Sequence, residues 1–151
     1  MKRFLCMLIS IIFTFQLTAC SQNPEADKIM NDFLSAYGAD GIVYSPKIAE
    51  GNDGYISDGL LNKIYIFDFI FPEDFAIFLN AHTDHASECA VFVCTDANMR
   101  SLVEQMCLER VRLVSGSDPR GFVSVSGLVV FYSTMSDGAR AKEIWRMVKK
   151  G

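Results

Sequence analysis

Apolar residues recur at a spacing of three and four in three stretches of the chain, which is the pattern of an amphipathic helix. The first stretch follows Asn23-Pro24, an N-cap residue and a proline suited to the first helical turn, and it ends at Gly38. The second begins after Asp96 and runs to about residue 114. The third begins near Asp137, so the spacing predicts three long helices.

Short and mostly apolar runs separate these helices, and their length and flanking loop residues favour strands. Four runs are predicted as strands: Phe75–Leu79, Ala90–Cys94, Phe122–Val125 and Leu128–Tyr132. A polar loop over 80–87 joins the first two, and Ser126-Gly127 is predicted to form the tight turn of a second hairpin. The Gly- and Asp-rich stretch 39–59 is predicted as loop, with at most a short strand around Ile42 to Tyr44, and a helical turn follows over 59–64.

Two hairpins and their flanking helices predict an α+β fold, with an antiparallel sheet of about four strands and helices packed on one face. In the last predicted helix, the chain's only tryptophan, Trp145, shares an apolar stripe with Ala141, Ile144 and Val148. We expect this stripe to cover the sheet and to bury Trp145.

The first 19 residues have the layout of a secretory signal rather than of a folded element. Lys2 and Arg3 precede a run, Phe4–Phe15, that is apolar except for Ser10 and Thr14. A membrane-spanning helix needs about 20 apolar residues, so this run is short for a permanent anchor and we expect it to be removed.

The ending Leu17-Thr18-Ala19-Cys20 resembles the lipobox of bacterial lipoproteins. The resemblance implies that Cys20 becomes the lipidated first residue of the mature chain, held to the membrane by a diacylglycerol and an added acyl chain such as palmitate. The alternative is an ordinary signal peptide with a chance cysteine. The predicted organisation is a signal peptide over 1–19, a lipidated Cys20 with a short tether over 20–23, and a single α+β domain over 24–151.

Charge narrows the range of partners. The signal carries two basic and no acidic residues, so the chain after it keeps 12 basic and 18 acidic side chains, a net charge of about −6. This balance argues against nucleic acid or anionic lipid as the main partner. The 132 remaining residues are the size of one domain.

Residues 70–148 resemble a family of small bacterial lipoproteins, common in Gram-positive anaerobes, that is defined only as a domain of unknown function. The stretches that carry the resemblance are "PEDFAIFL", "SECAVFVCTDA", "LVEQMCLERVRL", "VSVSGLVVFY" and "GARAKEIWRMV". Membership implies a cell-surface lipoprotein and brings no activity, substrate or functional residue.

The best candidate for chemistry is the segment "AHTDHASEC", which gathers five side chains able to bind a metal: His82, Asp84, His85, Glu88 and Cys89. Two imidazoles with a carboxylate or thiolate could complete a tetrahedral zinc or copper site. The stretch is equally typical of a solvated hairpin loop, and a lone HxxH pattern is not specific. We therefore predict no cofactor, with His82, His85 and Cys89 kept as candidate metal ligands.

The three remaining cysteines are predicted to be buried thiols. Cys89 and Cys94 lie near the two ends of one predicted strand, about 16 Å apart, so they cannot form a disulfide with each other. Cys107, on the covering helix, could reach one of them. A reactive thiol needs a nearby histidine or helix N-terminus, and only Cys89 has histidines close in the sequence.

An aromatic cluster precedes the first long strand, where Phe67, Phe69, Phe71 and Phe75 fall largely at a spacing of two. Such clusters usually form core or one face of a sheet, and at an exposed edge they would form a partner-binding patch.

Two classes of function follow from the sequence. The first is a non-catalytic, lipid-anchored protein of the cell membrane or envelope, extracytoplasmic, which presents its domain to an envelope protein or ligand. The second is a metal- or thiol-dependent activity centred on His82, His85 and Cys89. The chain has no GxSxG elbow, no phosphate-binding glycine loop with lysine and no SxxK, so the common hydrolase and nucleotide-binding patterns are absent. We expect the first class.

Overall fold

A computed structural model describes residues 24–80 and 87–150. The signal peptide, Cys20 with its tether, and three members of the candidate metal cluster (His82, Asp84 and His85) lie outside the described residues. The helices are α1 (Ala26–Tyr37), α2 (Asp58–Ile64), α3 (Ala97–Ser115) and α4 (Gly138–Val148). The strands are β1 (Ile42–Tyr44), β2 (Asp74–Asn80), β3 (Ser87–Val93), β4 (Phe122–Ser126) and β5 (Val129–Ser133).

The described strands form one antiparallel sheet in the order β1-β2-β3-β5-β4. This confirms the predicted α+β class. The sheet has five strands rather than about four, because β1 pairs with β2 over its whole length, from Ile42 opposite Leu79 to Tyr44 opposite Ile77. Within the described ranges, no helix is both long enough and apolar enough to cross a bilayer.

The prediction that helices pack on one face of the sheet is wrong, because helices cover both faces. In β3, Cys89 and Val91 point into a core shared with α1 and α4, whereas Ala90 and Phe92 point into a second core beneath α2 and α3. Strands buried on both faces need apolar side chains at successive positions, not at alternate ones. The unbroken apolar runs of β3 and β5 are the sequence sign of this two-sided burial.

Side-chain hydrogen bonds and backbone conformation determine the helix boundaries. Asp96 begins α3, because its Oδ1 accepts from the backbone N–H groups of Asn98 and Met99 at 2.8 and 2.9 Å. α1 begins at Ala26, two residues after the predicted Pro24, and its first N–H donates to Asp74 at 3.2 Å instead of to a neighbouring side chain. It ends at Gly38 as predicted, where a left-handed backbone (φ 76°) would strain any other residue.

The strand register defines two ends of the sheet, named here the Asp74 end and the Glu88 end. At the Asp74 end, Asp74 lies opposite Val93, which in turn lies opposite Val129 in β5. At the Glu88 end, Glu88 lies opposite Leu79. The N-terminus of α1 lies at the Asp74 end, since Ala26 hydrogen-bonds to Asp74.

Trp145 is buried, as predicted from its apolar stripe. It is 2% exposed and stacks on Phe131 of β5, with ring centroids 4.1 Å apart and an interplanar angle of 10°. Both cores are built from residues between Ala26 and Trp145.

Candidate functional site

The structure places two of the predicted metal ligands, Glu88 and Cys89, at the start of β3. Their side chains point to opposite faces of the sheet, because successive residues of a strand alternate. The Cys89 thiol is fully buried, 3.6 Å from Met30 Sδ, in the core beneath α1. Glu88 points toward α3, where it contacts Arg110. One ion therefore cannot take both Glu88 and Cys89 as ligands.

The thiols of Cys89, Cys94 and Cys107 are free and buried, as predicted. Burial raises the pKa of Cys94 to about 11, and it raises the pKa of Cys89 and of Cys107 well above the usual range. The thiol form is thus favoured at neutral pH, whereas nucleophilic attack and metal binding need the thiolate. Among the described residues, no group of three His, Cys, Asp or Glu side chains is placed to hold a metal ion. Metal binding that involves His82 and His85 stays an untested alternative, because both residues lie outside the described part of the chain.

A buried polar network occupies the Glu88 end of the sheet. The Glu88 carboxylate, 4% exposed, accepts two hydrogen bonds of 2.6 Å from Arg110, one from Nε and one from Nη2. The Tyr132 hydroxyl donates to Glu88 Oε1 at 2.9 Å, and the Tyr65 hydroxyl lies 2.8 Å from that of Tyr132. Arg110 Nη1 also donates to the carbonyl of Ile64 at 3.1 Å, which ties the end of α2 to α3.

Electrostatics hold this network in one protonation state. Burial raises the pKa of Tyr65 and of Tyr132 well above the usual value, and the nearby Glu88 charge adds to the effect. Burial alone would lower the pKa of Arg110, but the hydrogen bonds and charge of Glu88 outweigh it and raise that pKa. Both phenols therefore stay neutral and Arg110 stays charged at ordinary pH. Such a network fixes the packing of β3, β5 and two helices.

The residues that complete the network were not predicted from the sequence, yet a signal for one of them exists. Arg110 lies three and four residues after Cys107 and Met106, at a position where the helical spacing calls for an apolar side chain. A charge at such a position indicates a buried partner, because unpaired charges are costly in a core. Glu88, next to the apolar run of β3, carries the opposite charge.

The second feature is a cavity of about 460 Å³ between α1, α4 and the β4–β5 hairpin, which we call the α1/α4 cavity. Its apolar lining comes from Ile29, Val129, Trp145 and Val148, with Ser126 at the end of β4. The other residues that line it are Pro24 and the charged residues Glu25, Lys28, Asp32 and Lys149. Since Ser126 and Val129 lie at the Asp74 end, the cavity opens at the end where α1 begins.

The aromatic cluster packs against the core beneath α2 and α3, whereas the isoleucines between its members are exposed. Phe71 packs edge-on against Phe75 and Phe92, with ring centroids 5.1 and 5.7 Å apart, so this part belongs to the core. The alternating residues Ile66 and Ile70 are 82% and 83% exposed. Buried and exposed side chains therefore alternate along this segment, but it packs on a face of the sheet and does not join the sheet as a strand.

Comparisons of the chain with protein-family profiles, characterised proteins and solved structures gave no match. The resemblance of residues 70–148 to small bacterial lipoproteins stays a prediction. The lipidation of Cys20 also stays a prediction.

Proposed function

We propose that the protein is a bacterial lipoprotein, anchored outside the cytoplasm to the cell membrane or envelope by lipid on Cys20. Its α+β domain serves as a non-catalytic binding or interaction module. The observation that carries the anchor is the order of Lys2-Arg3, an apolar run, and Leu17-Thr18-Ala19-Cys20 within the first 20 residues.

The position of the folded domain supports this proposal. Pro24, the first described residue, comes four residues after Cys20, a span of at most about 14 Å. A lipid on Cys20 would therefore hold the Asp74 end of the sheet close to the bilayer. Two or more acyl chains are enough for stable anchoring, whereas one chain binds reversibly.

The binding role is supported by the α1/α4 cavity. Ligand pockets typically enclose about 300–1,000 Å³, and the volume of this cavity lies in that range. Half of its lining residues are apolar and half are polar or charged, so it can take a ligand that has both an apolar and a polar part. The cavity lies between two helices and the end of a hairpin that the sheet holds in place. A rigid frame of this kind suits a binding module that is tethered at one end.

The anchor is tested by expressing the full chain in a bacterial host and fractionating the cells. Wild-type protein should be found with membranes, and mass spectrometry should show a chain that starts at a lipid-modified Cys20. The Cys20→Ala variant should not be lipidated. Cys6→Ala is the matched control, since Cys6 lies within the apolar run, and it should be processed like wild type. Cleavage elsewhere, or an unmodified Cys20, would overturn the lipoprotein proposal.

A further inference from the structure

Trp145 lines the α1/α4 cavity, and its indole N–H lacks a hydrogen-bond acceptor among the described residues. The indole lines the cavity with one part of its surface and is otherwise buried against Phe131. Its Nε1–H has no acceptor among the described residues. Buried donors are paired in the great majority of cases, so an orphan next to a cavity points to a ligand with an acceptor atom.

Most of the charged residues that line the cavity have ionic partners among the described residues. Lys28 Nζ lies 3.3 Å from Asp32 Oδ2, so these two charges compensate each other. Glu25 lies 4.0 Å from Lys47, which also contacts Asp27 and Asp74.

Lys149 forms no ion pair within the described part of the chain. An indole N–H and an ammonium group are both donors, so they favour an acceptor that carries negative charge.

The apolar lining determines the rest of the ligand. Ile29, Val129 and Val148 offer only hydrocarbon surface, which favours an alkyl chain over a polar body. If Cys20 is lipidated, the cavity also opens toward the bilayer, where amphiphiles with one chain are concentrated.

We propose that the α1/α4 cavity binds a small amphiphilic monocarboxylate. Its alkyl chain lies against Ile29 and Val129, and its carboxylate accepts from Lys149 Nζ and from the Trp145 N–H. This inference deepens the proposed binding role and rests on it. The Trp145 N–H is covered in the present structure, so a ligand that reaches it shifts the indole and changes its fluorescence.

The test uses Trp145 itself as the reporter, because it is the only tryptophan in the chain. The segment 21–151, which contains every residue of both cores, is titrated with octanoate, octylamine and octanol, all below micelle-forming concentrations. These probes share one alkyl chain and differ in the head group. Octanoate should give a saturable change and bind about tenfold more tightly than the other two, since hydrogen bonds to charged groups are the stronger ones.

Lys149→Gln should lower the affinity for octanoate to that for octanol and leave octanol binding unchanged. Lys150→Gln is the matched control, because Lys150 is adjacent but does not line the cavity, and it should bind octanoate like wild type. Ser126→Phe should fill the cavity and abolish binding of all three probes. If Ser126→Phe fails to fold, the comparison of the two lysine variants still decides the question.

Three results would overturn the proposal: no saturable response to octanoate, equal affinity for octanoate and octanol, or equal losses from Lys149→Gln and Lys150→Gln. The lipoprotein proposal and the cavity proposal can be refuted independently of each other. Octanoate binding with an unmodified Cys20 would remove the lipoprotein proposal alone, and a lipidated protein without octanoate binding would remove the cavity assignment alone.

Discussion

Removing Arg110 should destabilise the domain more than removing any exposed arginine, because it leaves a buried carboxylate without its counter-charge. The perturbation is Arg110→Met, whose unbranched apolar side chain replaces the stem of the arginine and lacks the guanidinium group. It deletes both 2.6 Å hydrogen bonds to Glu88 and the bond to the Ile64 carbonyl. Glu88 would then retain the Tyr132 hydroxyl as its donor.

The size of the effect follows from burial. Breaking a buried ion pair by removing one partner costs about 3–5 kcal/mol. The Arg110 side chain is 21% exposed, so water can reach part of the vacated space and the lower end, about 3 kcal/mol, is expected. Urea denaturation of segment 21–151 at neutral pH measures the change, and the melting temperature should fall by roughly 10 °C.

Arg112 provides a matched control two residues further along α3. It forms a similar pair with Glu109, at 2.6 and 2.9 Å, but the two side chains are 67% and 48% exposed. Arg112→Met should therefore cost less than about 0.5 kcal/mol. A double-mutant cycle of Arg110→Met with Glu88→Gln should show a coupling of about 2 kcal/mol. Equal costs for the two arginine variants, or strictly additive effects in the cycle, would refute the reasoning.

Further predictions concern the α4 core, the histidine segment and the start of α3. Trp145→Ala should destabilise the fold by about 3–5 kcal/mol in denaturation, because it removes the ring that stacks on Phe131; wild-type stability would place Trp145 outside the core. Replacing His82 and His85 together with Ala should change stability by less than about 0.5 kcal/mol, and metal analysis should find no stoichiometric zinc in the wild type; zinc lost in the variant would restore the metal-site alternative. Backbone hydrogen bonds from α3 lower the pKa of Asp96, so its contribution is present above the ordinary value of about 4 and is lost as pH falls through the lowered one. The stability advantage of wild type over Asp96→Ala should therefore shrink in acid, and a difference that is constant with pH would contradict this.

The sequence predicted best those features that depend on neighbouring residues. The end of α1 at Gly38 and the start of α3 after Asp96 each depend on residues within one turn of the chain. The second hairpin is also found, but its turn is Gly127-Leu128, one residue later than predicted, because Ser126 pairs with Val129. Burial of Trp145 also followed from the spacing of its own helix. These signals survive folding because no distant contact overrides them.

The sequence predicted less well those features that depend on which faces of the sheet are covered. The predicted strands contain runs with no polar residue, and the length of such a run does not show whether helices cover one face of the sheet or both. The spacing of two in residues 67–71 also misleads, because it indicates a strand although these residues do not form one. β2 already has β1 and β3 as its two neighbours, so no edge of it remained for this segment to pair with.

The buried network around Glu88 could not be predicted from the sequence, because its members are far apart along the chain. Glu88 meets Arg110 and Tyr132 across 22 and 44 residues of sequence, and Tyr65 meets Tyr132 across 67. Periodicity ranks positions as buried or exposed, but it does not say which buried polar residues face one another. Only the antiparallel pairing of β3 with β5 brings Glu88 and Tyr132 to the same end of the sheet.

The buried network around Glu88 and the α1/α4 cavity lie at opposite ends of the sheet. Glu88 and Val93 are five residues apart in β3, about 17 Å along the strand, and the α1/α4 cavity lies beyond Val93 next to Val129. Effects at sites separated by more than about 10 Å, with no shared partners, usually add independently. The network can therefore hold the layers in register without constraining the cavity. A ligand that shifts the Trp145 indole disturbs only the α1 and α4 side, where the sheet stays fixed by the core on its other face.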